Sequence, residues 1–313
     1  MTEIKSAALE LGTERIRKLL VQYAVPAIIA MTASSLYNMV DSIFIGHGVG
    51  PLAISGLALT FPLMNLAAAF GSLVGVGAAT LVSMRLGQRD YQTAQNILGN
   101  VVVLNLIIGL AFGFTTLLLL DPILYFFGAS EATIGYARDY MSIILMGNVI
   151  THMYLGLNSV LRASGHPRKS MYATIYTVVI NAALDPLFIY GFGWGIRGAA
   201  IATVISQVAS CAFVLCVLFG KHIEVPITFG GYDLKVIGRV TSIGMSAFLI
   251  ILFDNVMLIS LNMMLQRYGG DNSNMLLTCN TIVQSFELLI TMPLGGLTMG
   301  TQTILGYNLG ARR

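Results

Sequence analysis

Of 313 residues, 56% belong to the hydrophobic set and 10% are charged, where a soluble domain carries about a quarter charged. A mean hydropathy of +0.80 excludes an ordinary water-soluble globule, because so few charges would leave large apolar patches in water. The net charge of +3 comes from 17 basic residues dispersed along the chain, so no nucleic-acid stripe exists, and Cys211, Cys216 and Cys279 lie in apolar runs that suit buried thiols, not a disulfide framework or zinc site.

Apolar stretches of at least about 18 residues read as transmembrane helices. Eight are predicted, over 18–45, 51–84, 92–120, 134–161, 170–191, 196–219, 236–266 and 274–308, separated by turn chemistry such as Gly48-Val49-Gly50-Pro51, Asp121-Pro122 and Gly165-His166-Pro167. The first span holds Tyr37, Asn38 and Asp41, with Asp41 one helical turn beyond its polar neighbours. In the second, Gly71, Gly75 and Gly77 lie within an apolar helix with no strand before them, a pattern for close helix packing and not for nucleotide binding. The fourth carries His152, better suited to packing than to proton relay, and Asn158. The fifth repeats the one-turn spacing with Asn181 and Asp185, the latter followed by Pro186. On the sixth, Thr203, Ser206, Gln207 and Ser210 make one polar stripe. The seventh has Asp254 beside Asn255, and the eighth has a second stripe of Asn280, Gln284, Glu287 and Thr291. These stripes line a pathway or act as hydrogen-bonding glue between helices. Methionines such as Met39, Met257 and Met292 are core filler, though their soft surface also suits promiscuous apolar ligands.

Basic residues set the topology. Lys5, Arg15, Arg17, Lys18, Arg85, Arg89, Arg162, Arg168, Lys169, Lys221, Lys235, Arg239, Arg312 and Arg313, 14 of the 17, fall on one side of the eight spans. Only Arg138, Arg197 and Arg267 lie opposite. The positive-inside rule then predicts a cytoplasmic N-terminus, and the expected location is the inner (plasma) membrane as a multi-pass protein. The first hydrophobic stretch is too long for a cleaved signal peptide.

Four acidic residues, Asp41, Asp185, Asp254 and Glu287, fall inside predicted spans, where an ionisable group costs roughly 2.5–3.5 kcal/mol to insert and is a functional candidate by default. Two carboxyls in apolar surroundings, with amides and a phenol at hand, can share a proton. They can equally offer oxygens to Na⁺, with Asp41, Asp185 and Asn181 as the ligands. A purely structural role, capping a broken helix next to Pro186, is the competing reading.

The chain also resembles itself. Gly77, Thr80, Leu86 and Gly87 recur as Gly300, Thr303, Leu309 and Gly310, each 223 positions on, at the exits of spans two and eight. A repeat starting after an even number of spans keeps its orientation, as in transporters with parallel repeats. The predicted fold is therefore an all-α integral membrane protein, a six-helix N-terminal bundle over 1–222 plus, over 223–313, the first two helices of a parallel-repeat C-terminal bundle whose last four spans are expected to be missing.

The segments Leu36-Tyr37-Asn38-Met39-Val40-Asp41, Arg85-Leu86-Gly87, Asn158-Ser159-Val160-Leu161-Arg162-Ala163-Ser164-Gly165-His166-Pro167 and Asn181-Ala182-Ala183-Leu184-Asp185-Pro186 resemble the multidrug and toxic compound extrusion (MATE) transporters. The resemblance implies that Asp41, Asn181 and Asp185 form a cation site in the N-terminal lobe, that Tyr37 accompanies them, and that Asn158 matches a further polar position. It implies a secondary antiporter, not an enzyme, exporting amphipathic, cationic small molecules in exchange for H⁺ or Na⁺. No cofactor beyond the coupling ion and no partner beyond membrane lipid is expected, and the protein is expected to be a monomer. Gln207, Asp254, Asn280, Gln284 and Glu287 are the pathway candidates. A flippase for a lipid-linked saccharide is the alternative, though it favours a more basic cleft. A channel or receptor is a weaker one, without any selectivity-filter signal. An intramembrane protease lacks support, since Asp185 is not glycine-flanked and no HExxH occurs.

Overall fold

The computed structural model describes residues 10–220, 223, 225–228, 230–270 and 273–312. Lys5, Lys221 and Arg313, used above to set topology, lie outside them. Besides a helical turn at 10–13, the described residues form ten α-helices and no strand. They are α1 (Ile16–Gly48), α2 (Pro51–Gly87), α3 (Tyr91–Leu118), α4 (Leu120–Phe126), α5 (Ile134–Met146), α6 (Asn148–Ala163), α7 (Pro167–Pro186), α8 (Gly195–Leu218), α9 (Leu234–Tyr268) and α10 (Ser273–Gly310). Seven helices are long and apolar enough to cross a bilayer, and α5 with α6 makes an eighth crossing if the bent pair counts as one span.

Local chemistry sets the boundaries. Gly50, at φ 118°, turns the chain before Pro51 opens α2, in a backbone region that other residues avoid. Asp90 caps α3 by accepting a hydrogen bond from the Thr93 amide at 3.1 Å, and Asp233 caps α9 by accepting one from Lys235 N at 2.8 Å. Two departures from the sequence reading stand out. The span expected over 134–161 is not straight: it breaks at Gly147 with a bend of 56° between α5 and α6. The third span ends in an added short helix, α4, in which Asp121 sits in the first turn and accepts both Arg138 Nε at 2.7 Å and Arg138 Nη2 at 2.8 Å.

Small residues let the helices approach to backbone contact. A side chain on Gly77 would collide with the Val240 carbonyl of α9, and one on Gly244 of α9 with Leu73 of α2. The same relation holds between α10 and α1, where a Cβ on Gly300 would meet Ala24 and one on Gly296 would meet Ile28. At the ends of α2 and α10 the contacts are reciprocal. A Cβ on Gly87 would strike Tyr307, and a Cβ on Gly310 would strike Met84. Met84 and Gly87 are related to Tyr307 and Gly310 by the same 223-residue offset found in sequence. Thus α2 packs on α9 as α10 packs on α1, with α2 and α10 meeting each other.

The largest buried cluster sits at the end where α2 and α10 meet, with Val74, Val82, Leu157, Val160 and Val214 joined by Tyr23, Ile304 and Tyr307. A second, at the opposite end, gathers Ile45, Leu57, Tyr140, Ile189 and Ile196.

Candidate cation site and its polar surroundings

Asp41 and Asp185 come together. Asp41 lies on α1 and is 5% exposed; Asp185, at the end of α7, is fully buried, as is Asn181 one turn earlier. Pro186 explains the local geometry at Asp185. Its ring removes an amide and clashes with the preceding turn, and the helix widens into a π-turn over Leu187–Gly191, a distortion that often marks functional sites. The carboxyls of Asp41 and Asp185 lie within hydrogen-bonding reach of one another. Two carboxylates at that separation repel; one proton or a cation between them turns the contact attractive.

The surroundings supply few donors. Neither Asp185 oxygen, nor Asp41 Oδ1, nor Asn181 Oδ1 has a hydrogen-bond partner. Asn181 instead donates its amide to Thr203 Oγ1 at 3.3 Å, and the Tyr37 and Thr203 hydroxyls share a hydrogen bond at 3.2 Å. Tyr140 on α5, 1% exposed, directs its hydroxyl at the same threonine. The result is a polar cluster of two carboxyls, an amide oxygen and three hydroxyls from α1, α5, α7 and α8. Buried polar atoms without partners are rare in folded proteins. Here they present oxygens suited to a proton or a hard cation. Among the described residues no cluster of three or more His, Cys, Asp or Glu side chains exists, so a cation here would depend on amide and hydroxyl oxygens beside the two carboxyls.

The other expected residues scatter. Asn158 lies in a separate polar cluster toward the start of α7, donating to Thr174 Oγ1 at 3.4 Å beside the Tyr154 hydroxyl, which donates to the same oxygen at 3.1 Å. The eleven residues from Thr174 to Asp185 put roughly 16 Å of helix between that cluster and the carboxyl pair. Gln207 is hydrogen-bonded to Thr151 across the α6–α8 contact, and Ser210 accepts from Thr177 at 2.7 Å. The sixth-span stripe therefore faces protein along its length. On α9 it is Asn255 that is buried, bonded to Asn65 Nδ2 of α2 at 3.1 Å, while Asp254 is exposed. Asn280 donates to Asn262 Oδ1 at 2.9 Å, Gln284 is half-buried and Glu287 exposed. These pathway candidates are not gathered into one pocket.

Thr203 and Tyr140 did not stand out as site residues in the sequence. Thr203 was visible only as one member of a stripe, and nothing marks a lone tyrosine near Arg138 and Asp139. Asn65 gave no signal by spacing.

Comparison with known proteins agrees with this architecture. The MatE family model matches residues 26–187, just over half of the chain. The multidrug export protein MepA of Staphylococcus aureus is 28% identical over 299 residues, covering 95% of this chain and 65% of its own. A solved MOP superfamily transporter from Pyrococcus furiosus, described as having a binding pocket of reverse polarity that suggests a different function, superposes with a TM-score of 0.89 at 28% identity, covering 97% of this chain and 67% of its own. An outward-facing multidrug resistance MATE family transporter superposes over 100% of this chain and 68% of its own, with a TM-score of 0.89 at 28% identity. The chain spans about 65% of the length of the curated relatives it matches. With a family match over both carboxyl-bearing helices and an all-helical membrane fold throughout, the chain belongs to the MatE family of multi-pass membrane transporters.

Proposed function

We propose that this protein takes part in the export of amphipathic, cationic small molecules, driven by H⁺ or Na⁺ moving inward through the Asp41–Asp185 site. The observation that carries the reading is the facing pair of buried carboxyls with unpartnered oxygens. An ion bound there in one conformation and released in the other biases the equilibrium between them by its differential affinity. The pair is suited to this because its two halves ride on different helices, α1 and α7. A shift of α1 changes the separation of the carboxyls and so their hold on a shared ion. Asn181, Thr203, Tyr37 and Tyr140 complete the cluster. The two lobes are residues 1–222 and 223–313, with substrate between them.

The names of the relatives support export of small molecules, and the family resemblance favours cationic ones. The N-terminus faces the cytoplasm. Arg138 and Arg197, at the basic-poor end, are held by Asp121 and Asp139 at 2.7 Å and 2.9 Å, which sharpens the charge asymmetry between the two ends. Efflux of a labelled cationic dye from proteoliposomes, with H⁺ and Na⁺ gradients clamped separately, tests the reading. Saturable efflux that follows one of the two gradients is expected. Flux indifferent to both removes the coupling role of the aspartates.

A further inference from the structure

At the basic end of the bundle, between the starts of α1 and α7, lies a cavity of about 500 Å³ lined by Arg15, Arg17, Lys18, Val21, Gln22 and Arg168. Four cations border it, and the two nearby acids among the described residues are already engaged. Glu14 pairs with Lys18 at 2.8 Å, and Glu10 accepts a hydrogen bond from Gln22 at 3.3 Å. Arg15, Arg17 and Arg168 form no ion pair among the described residues. Like charges on two packed helices repel, so an anion between them is favoured. Neither helix has an acidic residue in its first turn to answer the positive end of its dipole.

The cavity opens onto apolar surface. Along α1, Val21, Val25 and Ile29 are 57%, 43% and 44% exposed at one-turn intervals, and along α7, Tyr172, Tyr176 and Val179 are 48%, 47% and 58% exposed. These two helices pack against each other, and each track starts from a residue that lines the cavity, Val21 on α1 and Arg168 one turn before Tyr172 on α7. Arginines that merely snorkelled to the surface would need neither a cavity nor paired tracks. A soluble anion would use the cavity and leave the tracks unexplained.

We propose that this crevice binds an anionic phospholipid, with its phosphate between Arg15, Arg17 and Arg168 and its acyl chains along the two tracks. Such a lipid bridges α1 and α7, the helices that carry Asp41 and Asp185, and restrains their relative movement. The site stands independently of the ion coupling proposed above.

The test compares phosphatidylglycerol with phosphatidylcholine, each added to the delipidated protein in mild detergent and followed by native mass spectrometry. Phosphatidylglycerol is expected to bind roughly thirtyfold more tightly, from an excess of about two positive charges at roughly fivefold per basic residue. The Arg15→Gln, Arg17→Gln, Arg168→Gln triple variant should lose that preference, the three Lys replacements should keep most of it, and Lys235→Gln, at the same end but outside the cavity, should leave it unchanged. Should the triple variant fail to fold, Arg168→Gln alone is expected to lower the preference roughly fivefold. Equal binding of both lipids, or an equal loss in the Lys235 variant, overturns the proposal. Displacement of phosphatidylglycerol by millimolar inorganic phosphate assigns the cavity to a soluble anion and overturns it as well.

Discussion

A buried carboxylate without donors costs several kcal/mol, and breaking up a buried charged group by removing its partner costs about 3–5 kcal/mol. Asp41 and Asp185 impose that cost on each other unless a proton or cation lies between them. Asparagine keeps the shape and discards the charge, so Asp41→Asn and Asp185→Asn should each leave expression and thermal stability unchanged or slightly raised while lowering ion-coupled efflux by more than tenfold. Dye efflux beside a detergent melting curve separates the outcomes, since lost expression would mark the aspartates as structural. A residue at the membrane edge behaves oppositely. The Thr93 hydrogen bonds, with desolvation opposing and Arg85 at 3.5 Å assisting, hold the Asp90 carboxyl below its usual range. A lowered carboxyl contributes stability that is complete above its unfolded value of about 3.9 and is lost as pH falls through the lower folded one. Asp90→Ala should therefore cost about 1 kcal/mol at neutral pH as a lost helix cap, with the gap between variant and parent closing below about pH 4. Both carboxyls of the pair were legible in the sequence because charge inside apolar runs is rare. Thr203 and Tyr140 were not, because a hydroxyl inside a span carries no such penalty and gains meaning only from what it touches.

At the scale of elements, length and hydropathy located the membrane helices within a few residues, since a bilayer core demands about 20 apolar residues whatever their order. The break between α5 and α6 escaped because Gly147 carries no side-chain signature. Only the structure reveals that a Cβ there would press on Val204 of α8. The glycine seams were legible through the repeat. The residue pairs Gly87 with Tyr307 and Met84 with Gly310 are mutual images, so Gly87→Leu and Gly310→Leu should damage the α2–α10 contact alike, each by about 1–3 kcal/mol as overpacking. Melting temperatures of the two variants in the same detergent check this. A variant that loses nothing would show that its half of the seam relaxes without cost and that the packing is not symmetric.

Across the whole molecule, α9 and α10 meet α1 and α2 through close glycine contacts in the basic half and through the Asn65–Asn255 hydrogen bond further along α2 and α9. Val240 and Gly244 on α9 and Gly296, Gly300, Ile304 and Gly310 on α10 meet the first two helices in the basic half. In the other half, Ile250, Phe253, Met257, Val283, Phe286 and Ile290 are each 63–65% exposed. The α2–α10 seam thus closes the basic end. If ion binding at the aspartates opens this end in turn, the seam must come apart during each cycle. Gln302 Nε2 holds it by donating to Thr80 Oγ1 at 2.6 Å and to the Val76 carbonyl at 3.2 Å. Replacing this pair by cysteines, T80C with Q302C, and the native Cys211, Cys216 and Cys279 by serine, allows the seam to be pinned by oxidation. Oxidised protein should stop exporting dye, and a reductant should restore it, with the single-cysteine variants unaffected by either treatment. Efflux that continues with the cross-link formed, as verified by mass spectrometry, would mean that the seam is a fixed joint and that access alternates elsewhere in the fold.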